Sequence, residues 1–174
     1  MGTVTTTTHA MTRVDIATGI PYDDFLTAFE AVAPRFDPEP FQHIADSGGS
    51  WADVEAAVTA MAPLQLMIYA RIDTAPIFAI AGHRTKAVEY LLGNHVIAET
   101  MFRHDPRAML YAPLRLLVFS DDDGNAVWSM DRPGDAFASL GQPAVTEVGL
   151  GLDAKVVTLL QAIGVDAAAG FAGP

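Results

Sequence analysis

The chain contains no cysteine. That excludes disulfides, thiolate nucleophiles and cysteine metal sites, and it suits a reducing compartment. Basic residues are scarce: 10 Lys and Arg stand against 21 Asp and Glu, a formal charge of −11. Such a surface repels phosphate backbones and anionic lipid, so neither nucleic acid nor a membrane surface is an expected partner. No apolar run is long and unbroken enough to span a bilayer. The longest apolar region, Met61 to Gly82, is interrupted by Pro63, Gln65, Arg71, Asp73 and Pro76 and reads as core. The opening MGTVTTTTHA lacks the basic start and apolar run of a signal peptide, so a cytoplasmic location is expected. Also missing are GxSxG, a Walker loop, HExxH and the kinase signatures, and no hydroxyl nucleophile has an obvious local base. Hydrolase and phosphotransfer chemistry are therefore disfavoured. Any reaction falls to His, carboxylates, hydroxyls or a cofactor that the sequence leaves unidentified.

What is present is apolar material, 51% of 174 residues. A chain of this length forms one domain and buries about 70% of its unfolded surface without metal or disulfide staples. Residues 1–12 read as a flexible lead-in or edge strand, and 13–164 as a single domain. Val14 and Ile16 alternate in a short strand over Arg13–Ala17. Pro21, Asp23 and Asp24 open a helix whose apolar face is Tyr22, Phe25, Leu26, Phe29 and Val32. Prolines 34, 38 and 40 and SGGS mark a connector, after which Ser50 and Asp53 form a capping box for a helix with Val54, Ala57, Val58 and Met61 on one side. Residues 34–63 thus read as an inserted connector and helix.

Leu64–Ile72 has strand character. Strict alternation puts Leu66, Ile68, Ala70 and Ile72 on one face and Gln65, Met67, Tyr69 and Arg71 on the other, a mixed face suited to a pocket wall. Thr74–Lys86 fits a strand or a helical turn equally. Ala87–Leu92 is a strand, and Gly93–Asn94 turns into a helix from His95 to about Arg103 with Asn94 as N-cap. Leu114–Phe119 and Ala126–Met130 pair as a hairpin across SDDDGN. Its consecutive aspartates, with no glutamate at the required spacing, do not make a calcium loop. Pro143 opens a long amphipathic helix through Ile163, and residues 165–174 read as a loose tail.

The run Leu92–Pro133 resembles the core of the domain-of-unknown-function 302 family. The resemblance is carried by LGN, then IA, then HDPRAMLYAPLRLLVF, a short acidic turn and DRP. It implies an α+β sandwich, a mainly antiparallel sheet covered by helices in two layers, often assembled as homo-oligomers. It implies no reaction. Where the family commonly has proline after Gly-Asn, this chain has His95.

On the helix after Asn94, His95, Glu99 and Arg103 fall at i, i+4 and i+8, while Ile97, Met101 and His104 share another stripe. The two histidines face opposite ways, so they do not form a joint metal site; His95 and Glu99 supply at most two ligands, and Glu99 pairs with Arg103 as a solvated pair. His104 reads either as a local cap at the helix end or as a pocket residue, an acid/base or ligand contact. An axial haem role, with Met101 and two arginines at the haem edge, is a third reading that no haem motif supports. Arg115 alternates with Leu117 and Phe119 and needs a partner, either Glu89 on the neighbouring strand or a ligand carboxylate. Tyr69, Tyr90, Tyr111 and Trp128 fit pocket padding or plain core. Gly149-Leu-Gly151-Leu-Asp-Ala154 matches a loose dinucleotide fingerprint, but the apolar stripe runs through both glycines and no strand precedes them.

These residues support three expectations. The first is binding of a small, largely apolar organic molecule, with an anionic group received by Arg115 or Arg107 and orientation supplied by His104, Tyr69, Met101 and Tyr111. The second is an enzyme of isomerase, cyclase or lyase type that uses His104 as acid/base and Arg115 as anion stabiliser. The third is a structural oligomer without a cavity.

Overall fold

A computed structural model describes residues 2–172. One antiparallel sheet organises them, in the order β1 (Arg13–Pro21), β5 (Asn125–Asp131), β4 (Leu114–Ser120), β3 (Ala87–Gly93), β2 (Met67–Asp73). Helices α1 (Tyr22–Val32) and α7 (Pro143–Gln161) cover one face, giving the α+β sandwich. Val88, Tyr90 and Leu92 of β3, Leu116 and Val118 of β4 and Trp128 of β5 point into that core, and Phe25 and Phe29 of α1 meet Trp128 edge-on at 6.2 and 5.2 Å. Tyr90 and Trp128 are therefore core residues.

The alternate residues of the same strands face away from the helices. Leu91, Arg115, Leu117 and Val127 are exposed or half-exposed there. Arg115 looked buried by its apolar neighbours. It is 79% exposed, because only one side of the sheet is covered, and its Nε lies 2.9 Å from Glu89 Oε1. The pairing of Glu89 with Arg115 holds, on an open surface.

Several elements depart from their expected form. Strict alternation in β2 fails because a bulge between Ile68 and Ala70 inserts one residue. After it, Arg71 stands opposite Tyr90 on the helix-covered side, where its Nε donates to Glu30 Oε1 at 2.9 Å and the Tyr90 hydroxyl donates to the same oxygen at 2.7 Å. The connector after Pro34 contains α2 (Glu39–Asp46), whose first turn tolerates Pro40 because a helix start needs no N–H there, and α3 (Trp51–Met61) follows behind the expected capping box. The ambiguous stretch forms α4 (Ala75–Ile80). The tail is docked rather than loose: α8 (Ala168–Phe171) lies against β1, with Val165, Ala167 and Phe171 buried. Residues 173 and 174 of that expected tail, and Met1 of the lead-in, lie outside the described residues. Residues 2–12 form no helix or strand.

A further short helix, α6 (Pro133–Ala138), packs on α7. Here Gly149 finds its reason. A Cβ at Gly149 would lie 2.7 Å from Phe137 Cβ, so the glycine lets two helices approach. No described helix is long and apolar enough to cross a membrane.

Candidate functional site

At one end of the sheet the chain leaves β3 through Gly93 and Asn94 and enters α5 (His95–Phe102). The Asn94 side chain accepts from the backbone N–H groups of Val96 and Ile97 at 2.8 and 3.1 Å, and its amide donates to the Gln65 carbonyl at 2.7 Å. Helix start and β2 entry are thereby tied together. Beneath α5 lies a cavity of about 500 Å³, within the range of small-molecule sites. Ile97, Met101 and Phe102 of α5 form one wall, and Leu114, Phe137 and Leu152 form the opposite one. Gly93 forms part of the rim: a Cβ there would stand 3.2 Å from Tyr69 Cε2 and 3.5 Å from Pro113 Cβ, so glycine keeps this corner open.

Tyr69 and His95 both line the cavity, and the Tyr69 hydroxyl is hydrogen-bonded to His95 Nδ1. The pair sits in an aromatic stack. His95 lies 5.0 Å from Phe36 and 5.4 Å from Phe41, ring centre to ring centre, and Tyr69 lies 4.7 Å from Phe36. Phe36 is placed by a two-way backbone pairing of the Pro34–Phe36 segment with Ile68. Loss of hydration lowers the His95 pKa below its ordinary value and raises that of Tyr69, so both groups are neutral near pH 7. Glu99, one turn along α5, also borders the cavity and is held by Arg103, whose Nε donates to it at 3.1 Å. No lysine or arginine lines the cavity among the described residues.

Of the residues singled out in the sequence, Tyr69 and Met101 meet at this cavity. His104 does not. The helix ends at Phe102, so the stripe through Ile97 and Met101 stops short of His104, which is exposed in the following turn and borders no part of the cavity. The acid/base and axial-haem readings of His104 have no cavity wall to act from. Arg107 grips Asp105 through Nε at 3.0 and 3.1 Å and through a terminal nitrogen at 2.6 Å, which closes the short 3-10 turn Pro106–Leu110. Tyr111 and Arg115 lie in a separate cleft of about 640 Å³ on the open side of the sheet, with the Tyr111 hydroxyl 3.2 Å from His9 Nε2 and 3.3 Å from Ser139 Oγ.

The residue underweighted in the sequence is His95. Spacing alone assigned it to a solvated face with Glu99 and Arg103. The signal pointing to it was its place where the resembled family has proline. Phe36 and Phe41 carried no signal at all, since they lie in a stretch read as connector.

The match of this chain to known proteins rests on sequence and fold. The model of the family described as "Domain of unknown function DUF302" matches residues 45–163. The crystal structure of an uncharacterized conserved DUF302 protein from Bacillus stearothermophilus superimposes with a TM-score of 0.62 over 88% of this chain and 98% of that one, at 12% identity. That likeness speaks for the fold alone. No curated protein matches. With a family model spanning well over half its length and the same sandwich in its structural relative, the chain belongs to the DUF302 family.

Proposed function

We propose that this protein binds a small, largely apolar organic molecule in the cavity beneath α5, and that it does so in the cytoplasm. The observation that carries the reading is a largely apolar space of about 500 Å³ with a hydrogen-bonded Tyr69–His95 pair in its lining. Apolar walls supply affinity by excluding water, and a few placed polar groups fix orientation. Orientation therefore falls to His95 and Tyr69 in place of His104. The test is native mass spectrometry with visible absorption on protein purified without denaturation. A retained small molecule is the expected outcome; a bare polypeptide mass, together with no uptake of neutral aromatic probes at millimolar concentration, would overturn the reading.

One observation favours an enzymatic form of the same reading. A neutral imidazole hydrogen-bonded to a half-buried phenol can take or give a proton beside an apolar substrate, as isomerases, cyclases and lyases require. In that case His95→Ala abolishes turnover of a bound metabolite; in a pure binder it only weakens affinity.

We also propose that a second copy of the chain covers the open face of the sheet. Leu91, Leu117, Phe119 and Val127 stand there beside the Arg115–Glu89 and Arg13–Asp131 ion pairs. Five strands spaced about 4.8 Å, β1 nine residues long and the others seven at about 3.3 Å each, give a plan area of roughly 450 Å². Side-chain relief and the flanking Met109 and Leu110 extend it toward the about 800 Å² per partner of a stable interface. Each pair offers both signs, so two strongly acidic molecules can meet here without opposing like charge.

A further inference from the structure

The cavity also carries information about the charge of what enters it. Its described lining has no lysine or arginine, and the two arginines expected to receive an anion are engaged elsewhere, Arg107 with Asp105 and Arg115 with Glu89. The charged group at its edge is the carboxylate of Glu99, and the arginine nearest to it, Arg103, is already committed to that carboxylate. The formal charge of −11 adds a long-range field of the same sign. An anion placed here would lose part of its hydration against apolar walls and meet no uncommitted cation in the lining, a cost that a neutral ligand avoids.

The hydrogen bond to Tyr69 occupies Nδ1 of His95. No other hydrogen bond involves the His95 side chain, so Nε2 is the ring nitrogen without a protein partner among the described residues. With the phenol as donor to Nδ1, the neutral ring carries its own proton on Nε2, and that is the tautomer assigned to the site. The site so arranged offers one N–H donor on a ring that lines a largely apolar cavity.

Resting on the binding reading above, we propose that the ligand class is neutral: an apolar molecule bearing one uncharged acceptor, of ketone, aldehyde, ester or amide type, whose carbonyl oxygen accepts from His95 Nε2–H, with carboxylates of the same shape rejected. Tyr69 is a positioning residue that sets which nitrogen carries the proton, while the stack of Phe36 and Phe41 holds the ring plane.

The experiment compares three probes of one shape by calorimetry at pH 7.5: naphthalene, 2-acetylnaphthalene and naphthalene-2-carboxylate. The ketone is expected to bind about five- to tenfold tighter than naphthalene, the worth of one sheltered hydrogen bond, and at least about tenfold tighter than the carboxylate. His95→Phe preserves the aromatic stack and removes the donor. It should leave naphthalene affinity within about twofold and erase the advantage of the ketone, a pattern that general unfolding cannot produce. Tyr69→Phe should shrink the ketone advantage while leaving naphthalene alone. Carboxylate binding equal to or tighter than ketone binding overturns the charge assignment but leaves the binding reading standing. An unchanged ketone-to-naphthalene ratio in His95→Phe overturns the role of His95. Failure of all three probes to bind removes the binding reading itself, and the inference with it.

Discussion

Asp153 is a carboxyl group only 5% exposed, and it accepts the Gly134 backbone N–H at 2.9 Å where α6 meets α7. Burial is the main cause that pushes its pKa up to about 6, against the lowering effects of that hydrogen bond and of the Arg132 charge; Asp135 adds to the rise. In the unfolded chain it titrates near about 3.9. Because the folded value is the higher one, its contribution to stability is fully present below about pH 4 and is lost as pH rises through about 6. Asp153→Asn keeps an oxygen for Gly134 and has no charge to bury. It should raise unfolding stability at pH 7.5 by about 1–3 kcal/mol and give no gain at pH 4, as read by urea unfolding at both values. An equal loss at both pH values would show that the carboxyl serves only as a hydrogen-bond acceptor. At this scale the sequence was a partial guide. Helix periodicity places Met101 at the cavity, whereas Tyr69 reaches it as the extra residue of the β2 bulge, and the choice between His95 and His104 turned on where the helix stops and on which aromatics come across from residues 36 and 41.

Among the elements, α5 matters most, since its first residue is the polar head of the cavity. Its N-cap is legible in the sequence, and the structure adds that Asn94 also reaches the carbonyl of Gln65, a non-glycine residue held at φ 67°. Asn94→Ala should cost about 1–2 kcal/mol in thermal or urea unfolding and should also weaken uptake of the neutral ketone probe, because the turn that aims His95 loosens. Ser50→Ala removes the exposed cap of α3, where Ser50 and Asp53 bond each other reciprocally. It should cost about 1 kcal/mol with probe binding unchanged. If the two variants affect binding equally, the coupling between the α5 cap and the site is wrong. Caps, the hairpin turn and the long last helix were readable because each depends on neighbours within four residues. The bulge in β2 was not, since an inserted residue is defined by its partner strand β3, more than 15 positions away in the chain.

At the scale of the whole molecule, helices lie on one face of the sheet and leave the other open. Sedimentation is expected to give twice the chain mass of 18.5 kDa, and Leu117→Asp, in the middle of the open face, to give the single-chain mass with an unchanged circular dichroism spectrum. A wild-type chain sedimenting at the single-chain mass at about 0.1 mM would remove the second copy from that face. The order of most elements and the helix caps were legible in the residues themselves, because periodicity and capping chemistry are short-range; the α+β class came with the family resemblance, and Glu89 was one of two partners offered for Arg115. Not legible in the sequence were which sheet face is covered, that Arg115 stands in solvent, that His104 lies outside the cavity, and that Phe36, Phe41, Tyr69 and His95 converge. Each of these depends on contacts between segments far apart in the chain, where packing and loss of hydration, rather than local propensity, select the arrangement.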